Sequence, residues 1–162
     1  ELTADTIVNE SSTDELITML RRFGEEPKAK KIAQAIVDAR PIHSTVQLAA
    51  VVELVSPRRG RTHPATRTFQ AIRIAVNKEL EQVETILHLI PKLLLPGGRI
   101  VIISFHSLED RLVKRFFANE ARSGYEAELR VLTKKPVSGK NESVFNPRAR
   151  SAMLRAAVKI NI

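Results

Sequence analysis

Apolar residues recur at helical spacing through the first third of the chain. In SSTDELITMLRRFG, Leu16, Met19, Leu20 and Phe23 fall on one face, which predicts an amphipathic helix. Ser12 precedes it with Glu15 three residues on, the capping-box pattern, and Gly24 marks a stop. EPKAKKIAQAIVDARP repeats the period with Ile32, Ala35, Ile36 and Ala39, between Pro27 and Pro41. STVQLAAVVELVSP predicts a third helix, capped at Ser44 or Thr45 and ending near Pro57. The connections are short, so residues 1–62 read as an all-α lobe.

SPRRGRTHPAT interrupts this pattern. From near Pro64 to Leu95 the spacing predicts one long helix, with Phe69, Ile72, Val76, Leu80, Val83, Leu87 and Ile90 on a single stripe. On another face Thr66, Gln70, Arg73 and Asn77 align as a polar ridge, because they lie whole turns apart. A Pro-Gly-Gly turn then feeds Arg99–Ser104, whose Ile100–Ile103 run is apolar throughout. Such a run predicts a strand covered on both faces, as in a parallel sheet. LEDRLVKRFFANEA returns to helical spacing, with Ser107 as its cap and Leu108, Leu112, Val113 and Phe116 inward. AELRVLTKKPV and SAMLRAAVKIN read as two further strands, separated by the polar, turn-rich SGKNESVFNPRAR. The α–β–α alternation assigns residues 63–162 to an α/β domain, and the chain as a whole is mostly helical with a few strands.

Composition narrows the chemistry. Cysteine is absent, which excludes disulfides, a thiol nucleophile and thiolate metal sites and fits a reducing compartment such as the cytoplasm. The opening ELTADTIVNE does not resemble a signal peptide, and no apolar run approaches the roughly 20 residues of a membrane span. The net charge is +8 and uneven: residues 1–53 carry 9 acids and 6 bases, residues 54–162 carry 9 acids and 20 bases. A basic body of this kind predicts a polyanionic partner, with nucleic acid foremost. Aromatic residues make up only 4%, so base stacking across an aromatic sheet is not expected.

Generic catalytic signatures are missing. There is no G-x-G-x-x-G, P-loop, H-E-x-x-H or G-x-S-x-G, and the four histidines, at 43, 63, 88 and 106, are scattered, so no metal site is predicted. Placement is more informative. Ser104, Phe105, His106, Ser107, Glu109 and Asp110 follow the strongest strand, and open α/β sheets bind ligands beyond the carboxyl ends of their strands. The same residues also suit a plain helix start, with Ser107 as N-cap and two acids in the first turn. The ridge of Thr66, Gln70, Arg73 and Asn77 is either a solvated face or a set of groups for buried hydrogen bonding or substrate contact; it lacks the usual surface Glu and Lys. Arg58, Arg59 and Arg61 surround Gly60 in a stretch without acids from Leu54 to Lys78. With Arg111, Lys114, Arg148 and Arg150 they are candidates for phosphate contact.

Three blocks carry a resemblance: HPATRTFQAIRIAVNKEL, LLPGGRIVIISFHSLEDRLVKRFF and NPRARSAMLRA. In this order they resemble the RsmH/MraW-type methyltransferases, bacterial and organellar enzymes that methylate N4 of a cytidine in the decoding region of small-subunit (16S) rRNA. LTADTIVN through AKKIAQAIVDARPI fits the same family, so the resemblance spans essentially the whole chain. It implies a class I, S-adenosylmethionine-dependent, Rossmann-like methyltransferase domain into which a helical lobe is inserted. Residues 1–62 would be the lobe and 63–162 the second half of the catalytic domain. Family members are longer, and the glycine-rich donor loop, the acidic ribose ligand and the Ser-Ser-Pro-like segment of their first half have no counterpart here. The resemblance therefore implies a C-terminal portion, inactive alone, whose half-sheet leaves an edge at which two copies could pair. Ser104–Asp110 would form the rim near a flipped base, while Thr66, Arg67, Gln70, Arg73 and Asn77 would brace that rim or contact RNA. The alternative is a non-catalytic RNA- or ribosome-binding module derived from the family.

Overall fold

The computed structural model describes residues 2–58, 60, 62–122, 127–142 and 146–160. The chain divides into two compact units, Glu1–Glu79 and Leu80–Ile162.

The first unit is all helical: α1 (Ala4–Glu10), α2 (Thr13–Gly24), α3 (Ala29–Asp38), α4 (Thr45–Val55) and α5 (Thr66–Asn77). Each of the three helices read from the pattern is present. The capping box forms as spaced: Ser12 Oγ accepts from the Glu15 N–H at 3.3 Å, and Glu15 Oε2 accepts from the Ser12 N–H at 2.7 Å. Ser44 is the cap of α4, its hydroxyl accepting from the Gln47 N–H at 3.2 Å. Leu16, Leu20, Ile32, Ile36 and Val52 are fully buried at the centre. Gly24 ends α2, but the left-handed residue is Glu25, at φ 48°. The glycine serves a close approach instead: a Cβ there would lie 2.7 Å from the Arg67 carbonyl oxygen of α5. By packing, α5 is thus part of the helical unit.

The predicted long helix is two. Lys78 takes the left-handed conformation at φ 51° and ends α5, and α6 (Glu79–Leu93) follows. The hydrophobic stripe runs on across the break, but Ile72 packs in the first core whereas Leu87 and Ile90 pack in the second. Periodicity cannot register such a change of partner.

The second unit contains α6, β1 (Arg99–Ser104), α7 (Ser107–Arg122), β2 (Leu129–Val131), β3 (Val137–Ser138), α8 (Gly139–Glu142), a 3-10 helix (Pro147–Ser151) and β4 (Met153–Lys159). It is a mixed α/β unit whose sheet has the order β1–β4–β2, with β3 also paired to β4 and every pairing antiparallel. This corrects the parallel-sheet expectation for Arg99–Ser104. Only alternate residues of β1 pack inward. Ile100 and Ile102 face a core of Leu87, Ile90, Val113, Phe117, Leu129 and Ala157, while Val101 and Ile103 remain 56% and 55% exposed. An unbroken apolar run shows that both faces can be covered; which faces are covered depends on the neighbours. The central strand is β4, where residues 155–159 are all buried although two of them, Arg155 and Lys159, are charged.

Candidate functional site

The turn beyond β1 starts from Ser104, 3% exposed and opposite Met153 in the ladder. Phe105 then projects outward, 58% exposed, before the chain enters α7. The first N–H groups of a helix need acceptors from outside it. Here His106 supplies one: its Nδ1 accepts from the Glu109 N–H at 3.3 Å. Glu109 Oε2 in turn accepts from the backbone N–H of Phe105 at 2.8 Å and of His106 at 3.3 Å. This is a capping box with imidazole in the place of a hydroxyl. The expected cap, Ser107, is instead the first helical residue, and the Asp110 N–H bonds the His106 carbonyl at 3.2 Å. Ser107 and Asp110 have the spacing of a box too, but the Asp110 carboxylate is engaged elsewhere. With Nδ1 accepting, the neutral ring of His106 carries its proton on Nε2, which lies 3.3 Å from Glu109 Oε1.

Asp110 is held by Arg155 of β4. Nε donates to Oδ1 at 2.7 Å and Nη2 to Oδ2 at 2.9 Å, and the side chains are 8% (Arg155) and 14% (Asp110) exposed. The pair anchors the first turn of α7 to the central strand. In the sequence Arg155 is simply one residue of the predicted strand SAMLRAAVKIN. A signal was present: a charge inside the apolar run LRAAV requires a buried partner. Lys159 is paired too, with Glu128 2.5 Å away, though that partner is 42% exposed. Chemically, the turn combines an exposed aromatic ring able to stack on a base with an imidazole whose Nδ1 is fixed by the Glu109 N–H, a group suited to proton transfer. Both carboxylates at the carboxyl end of β1 are already engaged.

The polar ridge of α5 has been put to internal use. Gln70 Nε2 donates to the Phe23 carbonyl and Arg67 Nη1 to the Glu25 carbonyl, both at 3.1 Å, so the two residues close the C-terminal end of α2, where helix carbonyls lack partners. Arg73 binds Glu79 through two bonds of 2.7 and 3.0 Å, and Asn77 adds a third at 3.2 Å. Thr66 is exposed in the first turn of α5.

Of the phosphate candidates, Arg58, Arg111, Lys114 and Arg150 are exposed. Arg58 Nε donates to the Gly60 carbonyl at 3.3 Å. Arg59 and Arg61, and the side chain of Arg148, lie outside the described residues. Among the described residues, no helix is long and apolar enough to cross a membrane.

Comparison with known proteins adds what geometry does not. The profile of the MraW methylase family matches residues 1–160. Relatives named ribosomal RNA small subunit methyltransferase H include one from Acidobacterium capsulatum, 52% identical over 162 residues, which cover 98% of this chain and 53% of the relative. One from Thermomicrobium roseum is 51% identical, covering 97% of this chain and 53% of the relative. One from a Synechococcus strain is 53% identical, covering 97% and 49%. The chain spans about half the length of the curated relatives it matches. With a profile match over nearly every residue and half of the aligned positions identical, the chain belongs to the MraW methylase family.

Proposed function

We propose that this chain forms the acceptor-side, RNA-facing portion of an S-adenosylmethionine-dependent methyltransferase that modifies N4 of a cytidine in 16S rRNA of the small ribosomal subunit. The observation that carries this reading is the 52% identity, across nearly the whole chain, with a relative named as a small-subunit rRNA methyltransferase. The turn at Phe105–Ser107 supports it: Phe105 offers a surface for a base, and His106 with Glu109 stands at the carboxyl end of β1. Ser104 and Asp110 hold that turn in place, Ser104 in the sheet and Asp110 through Arg155. The helical unit, which holds α5 as well as the residues 1–62 expected from the resemblance, is assigned as the inserted lobe, and residues 80–162 as the second half of the catalytic domain.

The residues present do not fit the methyl donor. A ribose needs acceptors for its hydroxyls, yet Glu109 and Asp110 are spent on the cap and on Arg155. No glycine-rich loop follows a strand among the described residues. Donor binding is therefore assigned outside these 162 residues, and the chain alone is inactive.

The test is methyl transfer from labelled S-adenosylmethionine to small-subunit rRNA by the longer protein, with the product nucleoside identified by mass spectrometry. N4-methylcytidine is expected, and a methyl group at any other position overturns the reading. The 162-residue chain should transfer nothing and should release no heat with the donor; transfer by it would refute the division of labour. In the longer protein His106→Ala should lower transfer at least about tenfold, and unchanged transfer would remove His106 from the site.

A further inference from the structure

The cap at the start of α7 is the less favoured of two. Serine is among the preferred N-cap residues and histidine is not. Ser107 is followed three residues later by Asp110, and His106 by Glu109, so either pair has the spacing of a capping box. The box that forms belongs to His106. Its Nδ1 accepts from the Glu109 N–H at 3.3 Å, and Glu109 Oε2 accepts from the N–H groups of Phe105 and His106.

The deciding contact comes from the sheet. Arg155 stands opposite Ile102 in the ladder of β1 and β4, and directly opposed residues of paired strands project to the same face. Ile102 packs with Val113 and Phe117 of α7, so Arg155 projects toward that helix as well. There its Nε donates to Oδ1 of Asp110 and its Nη2 to Oδ2. Both carboxylate oxygens are engaged by one planar fork. A box built on Ser107 needs this carboxylate to fold back onto the Ser107 N–H. Held from β4, it points away from that group.

The choice of cap reaches the imidazole. With Ser107 as the cap, α7 would start one residue later. Glu109 would move from the third helical position to the second, and its N–H would leave His106 Nδ1. The ring would then lose the contact that fixes its orientation. The bond made by one ring nitrogen also decides which nitrogen carries the proton, and any hydrogen bond or proton transfer by His106 depends on both.

We infer that Arg155 is a positioning residue for the methyl-transfer reaction: by holding both oxygens of Asp110 it makes His106, rather than Ser107, the cap of α7, and so fixes the imidazole with Nδ1 as acceptor and the proton on Nε2. This rests on the role given to His106 above. Arg155 is itself buried, its side chain 8% exposed, and it acts only through Asp110 and the cap.

Amide hydrogen exchange and imidazole nitrogen spectra of the 162-residue chain, at a pH where the ring is neutral, test the cap. In Arg155→Met the Glu109 amide should exchange about tenfold faster, and the His106 Nδ1 signal should move as its hydrogen bond is lost. Adding Ser107→Ala removes the rival hydroxyl. Both signals should then return to those of the parent, although the chain stays as easily unfolded by urea as Arg155→Met. A pair that only stabilises the fold would show no such rescue. Asp110→Leu with Arg155→Met should also return them, because no carboxylate is left to build the rival box; it covers any failure of Arg155→Met to fold. Signals unmoved in Arg155→Met, or moved without rescue by Ser107→Ala, overturn the inference. In the longer protein Arg155→Met should lower kcat on the order of ten- to a hundredfold with KM for the rRNA unchanged. A raised KM at unchanged kcat overturns it too. Unchanged transfer in His106→Ala refutes the role of His106 instead, and the amide and nitrogen signals still decide whether Arg155 sets the cap.

Discussion

Two arginine–carboxylate pairs, one in each unit, have nearly the same geometry and opposite settings. Arg73 and Glu79 in the helical unit meet through bonds of 2.7 and 3.0 Å, with side chains 56% and 20% exposed. Arg155 and Asp110 in the sheet unit meet through bonds of 2.7 and 2.9 Å but are 8% and 14% exposed. Water competes for the first pair and screens it, so it contributes little. The second has given up hydration on both sides, and each partner depends on the other. The residues that attract attention by their spacing, such as Arg73, are therefore not those whose loss costs most.

The largest effect expected is at Arg155. Arg155→Ala leaves Asp110 buried without its counter-charge and should cost about 3–5 kcal/mol in urea unfolding. Asp110→Leu combined with Arg155→Met should restore much of this, because a matched apolar pair has no charge to desolvate. A loss below about 1 kcal/mol for the single variant would put the two pairs on the same footing. Next comes Gly24→Ala, which sets a methyl group 2.7 Å from the Arg67 carbonyl oxygen and should destabilise by about 1–3 kcal/mol; a neutral result would mean that α2 and α5 can part without cost. Arg73→Ala should cost only about 0.2–1 kcal/mol, and less at high salt; a larger, salt-insensitive loss would erase the contrast with Arg155.

The smallest effect is in acid. The Ser12 hydroxyl and then the Ser12 backbone N–H hold the Glu15 carboxyl below its ordinary value of 4.5. A carboxyl depressed in the fold stabilises it fully above that ordinary value and ceases to do so as pH falls through the lower, folded value. Ser12→Ala should flatten this part of the stability–pH curve, and an unchanged acid limb would show that the cap does not set it.

Much was legible locally. The Ser12–Glu15 box, the Ser44 cap and the bounds Arg99–Ser104 of β1 all follow from residues within a few positions of one another. So did the family, since its blocks are contiguous. His106 in place of Ser107 as the cap was less legible, because the choice turns on Asp110 being engaged by a residue 45 positions away. The end of α5 at Lys78 was hidden by a stripe that stays in phase while its two halves enter different cores.

Sequence alone therefore determined the helices α2 to α4, the caps at Ser12 and Ser44, the strand β1, the charge imbalance and the family, all of which depend on neighbours along the chain. Tertiary structure decided which face of β1 is covered, which partner engages each acid beyond it and which polar ridge is spent inside. Burial and counter-charge come from residues distant in sequence, and these set the energy of every polar group in the molecule.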